Sequence, residues 1–212
     1  MFEKLRAMPA DAILGLIAEH RDDPRPDKID LGVGVYRTAA GETPVLATVK
    51  QAERVILDTQ DTKAYLGTAG RSDFNAVMQK MVFAGSAPDE RLVTIQTPGG
   101  SGSLRVGAGI LLRARPDTTV WVSEPTWSNH VPLLGDAGLQ LKPYPYYDTN
   151  KHVIETDAML GALRAAPRGD VVLLHACCHN PSGLDPSTED WRAITDIVVE
   201  RELVPFIDMA YQ

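Results

Sequence analysis

Short apolar runs alternate with helical patterns along most of this chain, and one run is decisive. Val171–His175 places four apolar residues in a row before a polar one. A strand with no polar alternation has no solvent-facing side, so helices must cover both faces of its sheet, which is the signature of parallel α/β architecture. Leu92–Gln96, Thr119–Ser123, Leu139–Tyr144 and Leu203–Ile207 also read as short strands. Between them lie helical stripes. Val45, Val49, Ala52 and Ile56 recur on one face of Pro44–Ile56; Phe74, Val77, Met78 and Met81 do so after a capping Ser72. A helix starts near Ser103, a short one lies near His130, and another runs from a capping Thr156 to Leu163. Ser187–Asp190 resembles a capping box ahead of Trp191, Ile194 and Val198. Upstream, Asp11–His20 is helical, Arg21–Lys28 is a loop and Ile29–Tyr36 is extended.

Charge narrows the partners. A net charge of −7 offers no basic field for nucleic acid or an anionic membrane surface. Met1–Arg6 lacks the apolar stretch of a secretory signal, and no run is long enough to cross a bilayer. The two cysteines, Cys177 and Cys178, are neighbours and cannot staple distant segments, so a reducing, cytoplasmic location is expected.

Four segments sit where strands end, the place where parallel sheets gather ligands. Gln96–Gly102 is rich in glycine between a strand and a helix, a sequence that reads either as a phosphate cradle on a helix N-terminus or as a tight turn. It is not a Walker A loop, and both Gly100-x-Gly102 and Gly32-x-Gly34 meet arginine where a dinucleotide fingerprint has its third glycine. Glu124–His130 offers Trp127 as a stacking surface and His130 on the same helical face, or else a core pair. His175–Gly183 clusters histidine and cysteine. Side chains alternate along an extended segment, so these cannot converge on zinc. Asn180 before Pro181 is set to aim an amide into a cleft, and Cys177 and Cys178 are expected to pack. Asp208, at the end of an apolar strand, needs a cation or strong donors; it reads equally as a helix cap.

In their order and spacing these segments resemble the class I aminotransferases (aspartate and aromatic), fold-type I enzymes that use pyridoxal phosphate. The resemblance also takes in Leu31–Tyr36, Thr62–Gly67 and Asp208-x-Ala210-Tyr211. It implies a three-layer α/β/α large domain with a mostly parallel sheet, here incomplete. Gly99, Gly100 and Ser101 would hold the cofactor phosphate, Gly99 through its backbone alone because some relatives have serine there. Tyr65 would reach the phosphate in a partner subunit of a homodimer. Trp127 would stack on the ring, and Asp208, supported by His130, would keep the ring nitrogen protonated. Asn180 and Tyr211 would bond the phenolic oxygen. Gly34, Trp127 and Asn180 would contact the substrate carboxylate of an L-amino acid or 2-oxo acid.

One departure is large. None of the seven lysines, at 4, 28, 50, 63, 80, 142 and 151, lies in the Ser-x-x-Lys context of the family's Schiff-base lysine. The chain is therefore expected to be an N-terminal fragment, inactive by itself, with residues 1–10 as an arm, 11–43 as part of a small domain and 44–212 as an incomplete cofactor domain. A non-catalytic module that binds the cofactor or dimerises is the rival reading. A nicotinamide-dependent dehydrogenase fits the alternation but fails both glycine fingerprints.

Overall fold

A computed structural model describes residues 2–3, 12–30, 32 and 34–211. Most of the arm expected over residues 1–10 lies outside this range, as do Leu31 and Val33 of the 31–36 motif. Contacts divide the chain into two compact units, Met1–Tyr65 and Leu66–Gln212.

The first unit contains α1 (Ala12–Asp22) and α2 (Ala47–Thr59). Lys28 holds the C-terminal end of α1: its Nζ donates to the carbonyls of His20 and Asp23, each at 2.6 Å. Those carbonyls have no intrahelical partner, and a cation there also complements the helix dipole. α2 starts at Ala47, so Val45 of the expected stripe precedes it; Val45, Val49 and Ile56 are exposed and α2 buries no residue.

The second unit is the α/β layer structure. Its helices are α3 (Ser72–Phe83), α4 (Gly99–Ala114), α5 (His130–Gly135), α6 (Thr156–Ala165) and α7 (Thr188–Glu200). Strands β1 (Thr119–Glu124), β2 (Gln140–Pro145), β5 (Val171–His175) and β6 (Val204–Asp208) form one sheet in the order β2-β1-β5-β6, all parallel. A two-stranded antiparallel ribbon, β3 (Tyr147–Asp148) with β4 (Val153–Ile154), lies between β2 and α6.

The period of two along the strands sorts the core into two clusters. Val120 and Val122 of β1 and Val171 and Leu173 of β5 pack with Leu104 and Ala108 of α4 and Leu134 of α5. Trp121, Val172 and Leu174 face the other way, onto Met159 and Leu163 of α6 and Ile194 and Ile197 of α7. Helices on both faces of a parallel sheet are the three layers expected from Val171–His175. Inside the second layer, the Trp121 indole N–H donates to Asp170 at 2.9 Å, and the Tyr144 hydroxyl donates to the Leu173 carbonyl at 3.0 Å.

Some expected elements differ. Leu92–Gln96 forms no ladder among the described residues. A strand is defined by its partner, and this segment is tied instead by Gln96 N–H to the Ala69 carbonyl and by Thr94 to Gln79. Ser72 and Thr156 are first residues of their helices, not caps; Arg71 and Glu155 occupy the cap positions without a side-chain bond. The capping box is formed: Ser187 Oγ accepts the Asp190 N–H, and the Asp190 carboxylate accepts the Ser187 N–H. The Glu124–Pro125 and Asn180–Pro181 peptides are cis.

A candidate cofactor site at the carboxyl ends of the strands

The ends of β5 and β6 and the first turn of α4 enclose a cavity of about 180 Å³. That is roughly ten times the space one water requires, enough for a ring-sized group. Gly100, Trp127, Asn180, Asp208 and Tyr211 line it together with His175 and Cys177. Every residue in this list belongs to the second unit. Gly34 and Tyr65 lie in the first unit, where both are exposed.

The glycine run shapes one side. Gly99 opens α4 with φ +71°, a left-handed conformation that favours glycine. The Gly99 N–H donates to the Thr97 carbonyl at 2.8 Å, while no side chain caps α4, so Gly100 and Ser101 present their amides in a first turn that has no intrahelical acceptor for them. A Cβ added at Gly102 would stand 2.9 Å from Cδ of Pro98, within a rigid ring; at Gly100 it would meet nothing within 4 Å. Ser101 faces a neighbouring depression with Arg105 and Asn129.

The opposite side is a relay of half-buried polar groups built around the fully buried His130, and part of its direction follows from its far end. The Asn180 backbone N–H can only donate, and it reaches His175 Nδ1 at 3.3 Å. Burial, with the nearby His130 second, pushes the His175 pKa down to about 4, so the ring is neutral and its one proton sits on Nε2. That N–H donates to Thr126 Oγ at 3.3 Å. The Thr126 hydroxyl is also paired with His130 Nδ1 at 2.8 Å, and His130 Nε2–H donates to Asp208 at 2.8 Å. His130 is fully buried, while Asp208 is partly open toward the cavity. The bond from His130 holds the Asp208 carboxyl below its ordinary value of 3.8 against the opposing effect of burial. An ionised carboxylate is thus presented to the cavity with one face already satisfied.

Trp127 stands edge-on to His130, with centroids 5.3 Å apart and planes at 89°. Its ring is held by the same histidine that holds Asp208. His179 makes a second buried cluster, bonded to Ser123 at 2.9 Å and Ser182 at 2.8 Å and stacked on Tyr146 at 3.9 Å. Burial, then His175, lowers the His179 pKa to about 4.

The structure thus brings together Gly100, Trp127, Asn180, Asp208 and Tyr211 around one cavity, with His130 buried behind Asp208 and Gly99 and Ser101 in the adjoining turn. His175 and Thr126 were missed as members of the relay. Their signal was available: an apolar strand ending in histidine, beside a threonine four residues before His130. The cysteines were misjudged. Cys178 is exposed, and Cys177 lies in the cavity wall with its thiol donating to the Tyr211 carbonyl at 3.1 Å. No lysine lines the cavity among the described residues.

A pyridine cofactor with a phosphate makes three demands, and this donor set meets them: uncapped helix amides for a dianion, an ionised carboxylate for a ring nitrogen and an aromatic face for a flat ring. Comparison with known proteins agrees. Residues 26–212 match the family model for aminotransferase class I and II. The aspartate aminotransferase of Escherichia coli K12 is 47% identical over all of this chain, which covers 54% of that enzyme. The aromatic-amino-acid aminotransferase of Pseudomonas aeruginosa is 45% identical, with 53% of it covered. Among solved structures, an aromatic amino acid aminotransferase from Burkholderia cenocepacia superposes with TM-score 0.95 at 42% identity. One from Burkholderia pseudomallei, covalently bound to pyridoxal phosphate, gives 0.94 at 39%. All of this chain and 54% of each of those two chains are covered. The chain spans about half the length of the curated relatives it matches, and it is a member of the class I and II aminotransferase family.

Proposed function

We propose that the complete protein transfers an amino group between an L-amino acid, aspartate or an aromatic one, and a 2-oxo acid, using pyridoxal phosphate. The observation that carries this reading is the ionised Asp208, backed by buried His130 and aimed into a cavity that faces an uncapped helix. When bound, the cofactor supplies an electron sink for the charge left on the substrate α-carbon. The amides of Gly100 and Ser101 and the Ser101 hydroxyl bind the phosphate, and Gly99 joins them once its N–H turns from the Thr97 carbonyl. Trp127 covers one face of the ring. Asp208 holds a proton on the ring nitrogen, and the relay through His130, Thr126 and His175 fixes that carboxylate in place. Asn180 and Tyr211 donate to the phenolic oxygen; Gly34, Trp127 and Asn180 orient the substrate carboxylate.

Tyr65 reaches the phosphate of a second subunit in a homodimer under this reading, consistent with its full exposure. Residues 1–10 serve as an arm, 11–43 as part of a small domain and 44–212 as the cofactor domain. A cytoplasmic location is part of the same proposal. It is supported by two free cysteines and by the 39% identity to a rice aspartate aminotransferase named as cytoplasmic. The lack of a lysine among the cavity residues favours a second reading for the 212-residue chain taken alone, a cofactor-binding or dimerising module without turnover.

Steady-state assays of the complete protein with 2-oxoglutarate and aspartate, tyrosine or phenylalanine test the proposal. Amino transfer with at least one of them is expected, and its absence with all three would overturn the reading. The 212-residue chain alone should give no turnover in the same assay. Turnover at ordinary enzyme rates, roughly 1–10³ per second, would show that a group within these residues replaces the missing lysine.

A further inference from the structure

His179 is only 2% exposed, in a loop where Cys178, Pro181 and Gly183 are open to solvent, and no step of the proposed chemistry uses it. A buried imidazole needs partners for both nitrogens. Nε2 pairs with Ser123 Oγ at the end of β1 at 2.9 Å, and Nδ1 with Ser182 Oγ at 2.8 Å. Burial, with His175 second, lowers its pKa to about 4, so the ring is neutral and offers one donor and one acceptor. A serine hydroxyl can meet either. The ring stacks on Tyr146 at 3.9 Å and lies 4.3 Å from the ring of His175.

The bond to Ser182 cinches the loop. It spans Asn180 and Pro181, and the Gly183 N–H closes the same stretch through the backbone by donating to the His179 carbonyl at 2.7 Å. Outside the cinch, the Asp185 carboxylate accepts the Cys178 N–H at 2.7 Å and the His179 N–H at 2.8 Å, and the Tyr146 hydroxyl donates to the Leu184 carbonyl at 2.6 Å. Of the two residues spanned, Asn180 lines the cavity. A segment tied through side chains and backbone leaves the Asn180 amide few orientations, which lowers the ordering cost when a ligand takes its hydrogen bond. We infer that His179 is a positioning residue: by bridging Ser123 and Ser182 it presents the Asn180 side chain to the phenolic oxygen of the cofactor ring. The inference rests on the proposed contact between Asn180 and that oxygen, and it names the buried group that makes the contact selective.

Binding to the complete protein, stripped of cofactor, tests this with two ligands: pyridoxamine 5′-phosphate and its 3-deoxy analogue, which lacks the phenolic oxygen. Neither carries an aldehyde, so neither bonds covalently to a lysine. Calorimetry gives the ratio of their dissociation constants. Asn180→Ala should cut the wild-type preference for the hydroxylated ligand about fivefold, the worth of one hydrogen bond. His179→Ala should cut it as far, and the double variant no further. Ser182→Ala leaves the buried ring in place and should give the same loss, which keeps the test decisive if His179→Ala folds poorly. His179→Asn retains a polar group at the Nδ1 position and should restore most of the preference. All of these variants should bind the 3-deoxy analogue within about twofold of wild type, because the phosphate and ring-nitrogen contacts are independent of this loop. A loss shared equally by both ligands would mark a merely structural role and overturn the inference. So would a wild-type ratio in His179→Ala and Ser182→Ala beside a lowered one in Asn180→Ala, an outcome that leaves the cofactor reading standing. A wild-type ratio in Asn180→Ala itself would overturn the proposed Asn180 contact, and this inference with it.

Discussion

Asp208 is the residue on which most of the site's chemistry converges. Its carboxyl lies below the ordinary range because His130 donates to it, and removing the charge while keeping the shape isolates that role. In the complete protein, Asp208→Asn should lower kcat/KM at least about tenfold, a loss of roughly 1.4 kcal/mol of transition-state stabilisation. Activity within about threefold of wild type would refute the assignment. The histidines behind it predict a pH dependence of stability. His175 and His179 titrate near 4 in the fold against an ordinary 6.5, so the unfolded chain binds protons that the folded chain refuses. Their contribution is fully present above 6.5 and is lost as pH falls toward 4, by up to about 1.4 kcal/mol per pH unit for each ring. Thermal melts should show Tm falling between pH 6.5 and pH 5, with a shallower slope in His175→Asn. Asp208 acts in a lower window: its contribution is present above 3.8 and is lost as pH drops through its depressed folded value. At this scale Trp127, Asn180 and Asp208 were legible because each sits next to a strand end. The place of His175 in the relay was harder to read, because its link to Thr126 joins residues 49 apart in sequence.

Elements were legible wherever their stabilisation is local. The capping box of α7 is written in four consecutive residues, and the structure forms it. Ser187→Ala should destabilise the fold by about 1 kcal/mol, read by urea denaturation, because it orphans the Asp190 N–H. Val171–His175 carried its own burial in its composition, and the strand has those bounds. Leu92–Gln96 has comparable β character but no ladder partner among the described residues, so its composition alone could not make it a strand. The short β3–β4 ribbon escaped notice because two residues per strand are too few for a period to show. In α4 the sequence marks a glycine cluster without saying which glycine the fold needs. The structure separates them: Gly102→Ala should lower Tm by several degrees through its clash with Pro98, while Gly100→Ala should leave Tm near wild type.

Taken whole, the second unit presents β6 as an edge of the sheet, with Val204 and Ile207 exposed and Val106 and Ile110 exposed on α4. Unpaired apolar edges are templates for association. Expressed on their own, the 212 residues should scatter light as oligomers or aggregates; a monodisperse species with a sharp melt would show that this edge is tolerated. The strand ladder itself was legible from the alternation of elements, whereas the order β2-β1-β5-β6 follows from long-range pairing that no local pattern encodes. The chain has three tryptophans, and the fold gives two of them opposite surroundings. Trp121 is buried in the core with its indole bonded to Asp170, while Trp127 borders the cavity. The protein therefore carries its own optical gauge. A ring docking against Trp127 should quench that indole's emission while Trp121 and Trp191, which do not line the cavity, keep theirs, so the filling of the site can be followed in the shape of the fluorescence spectrum without any added dye.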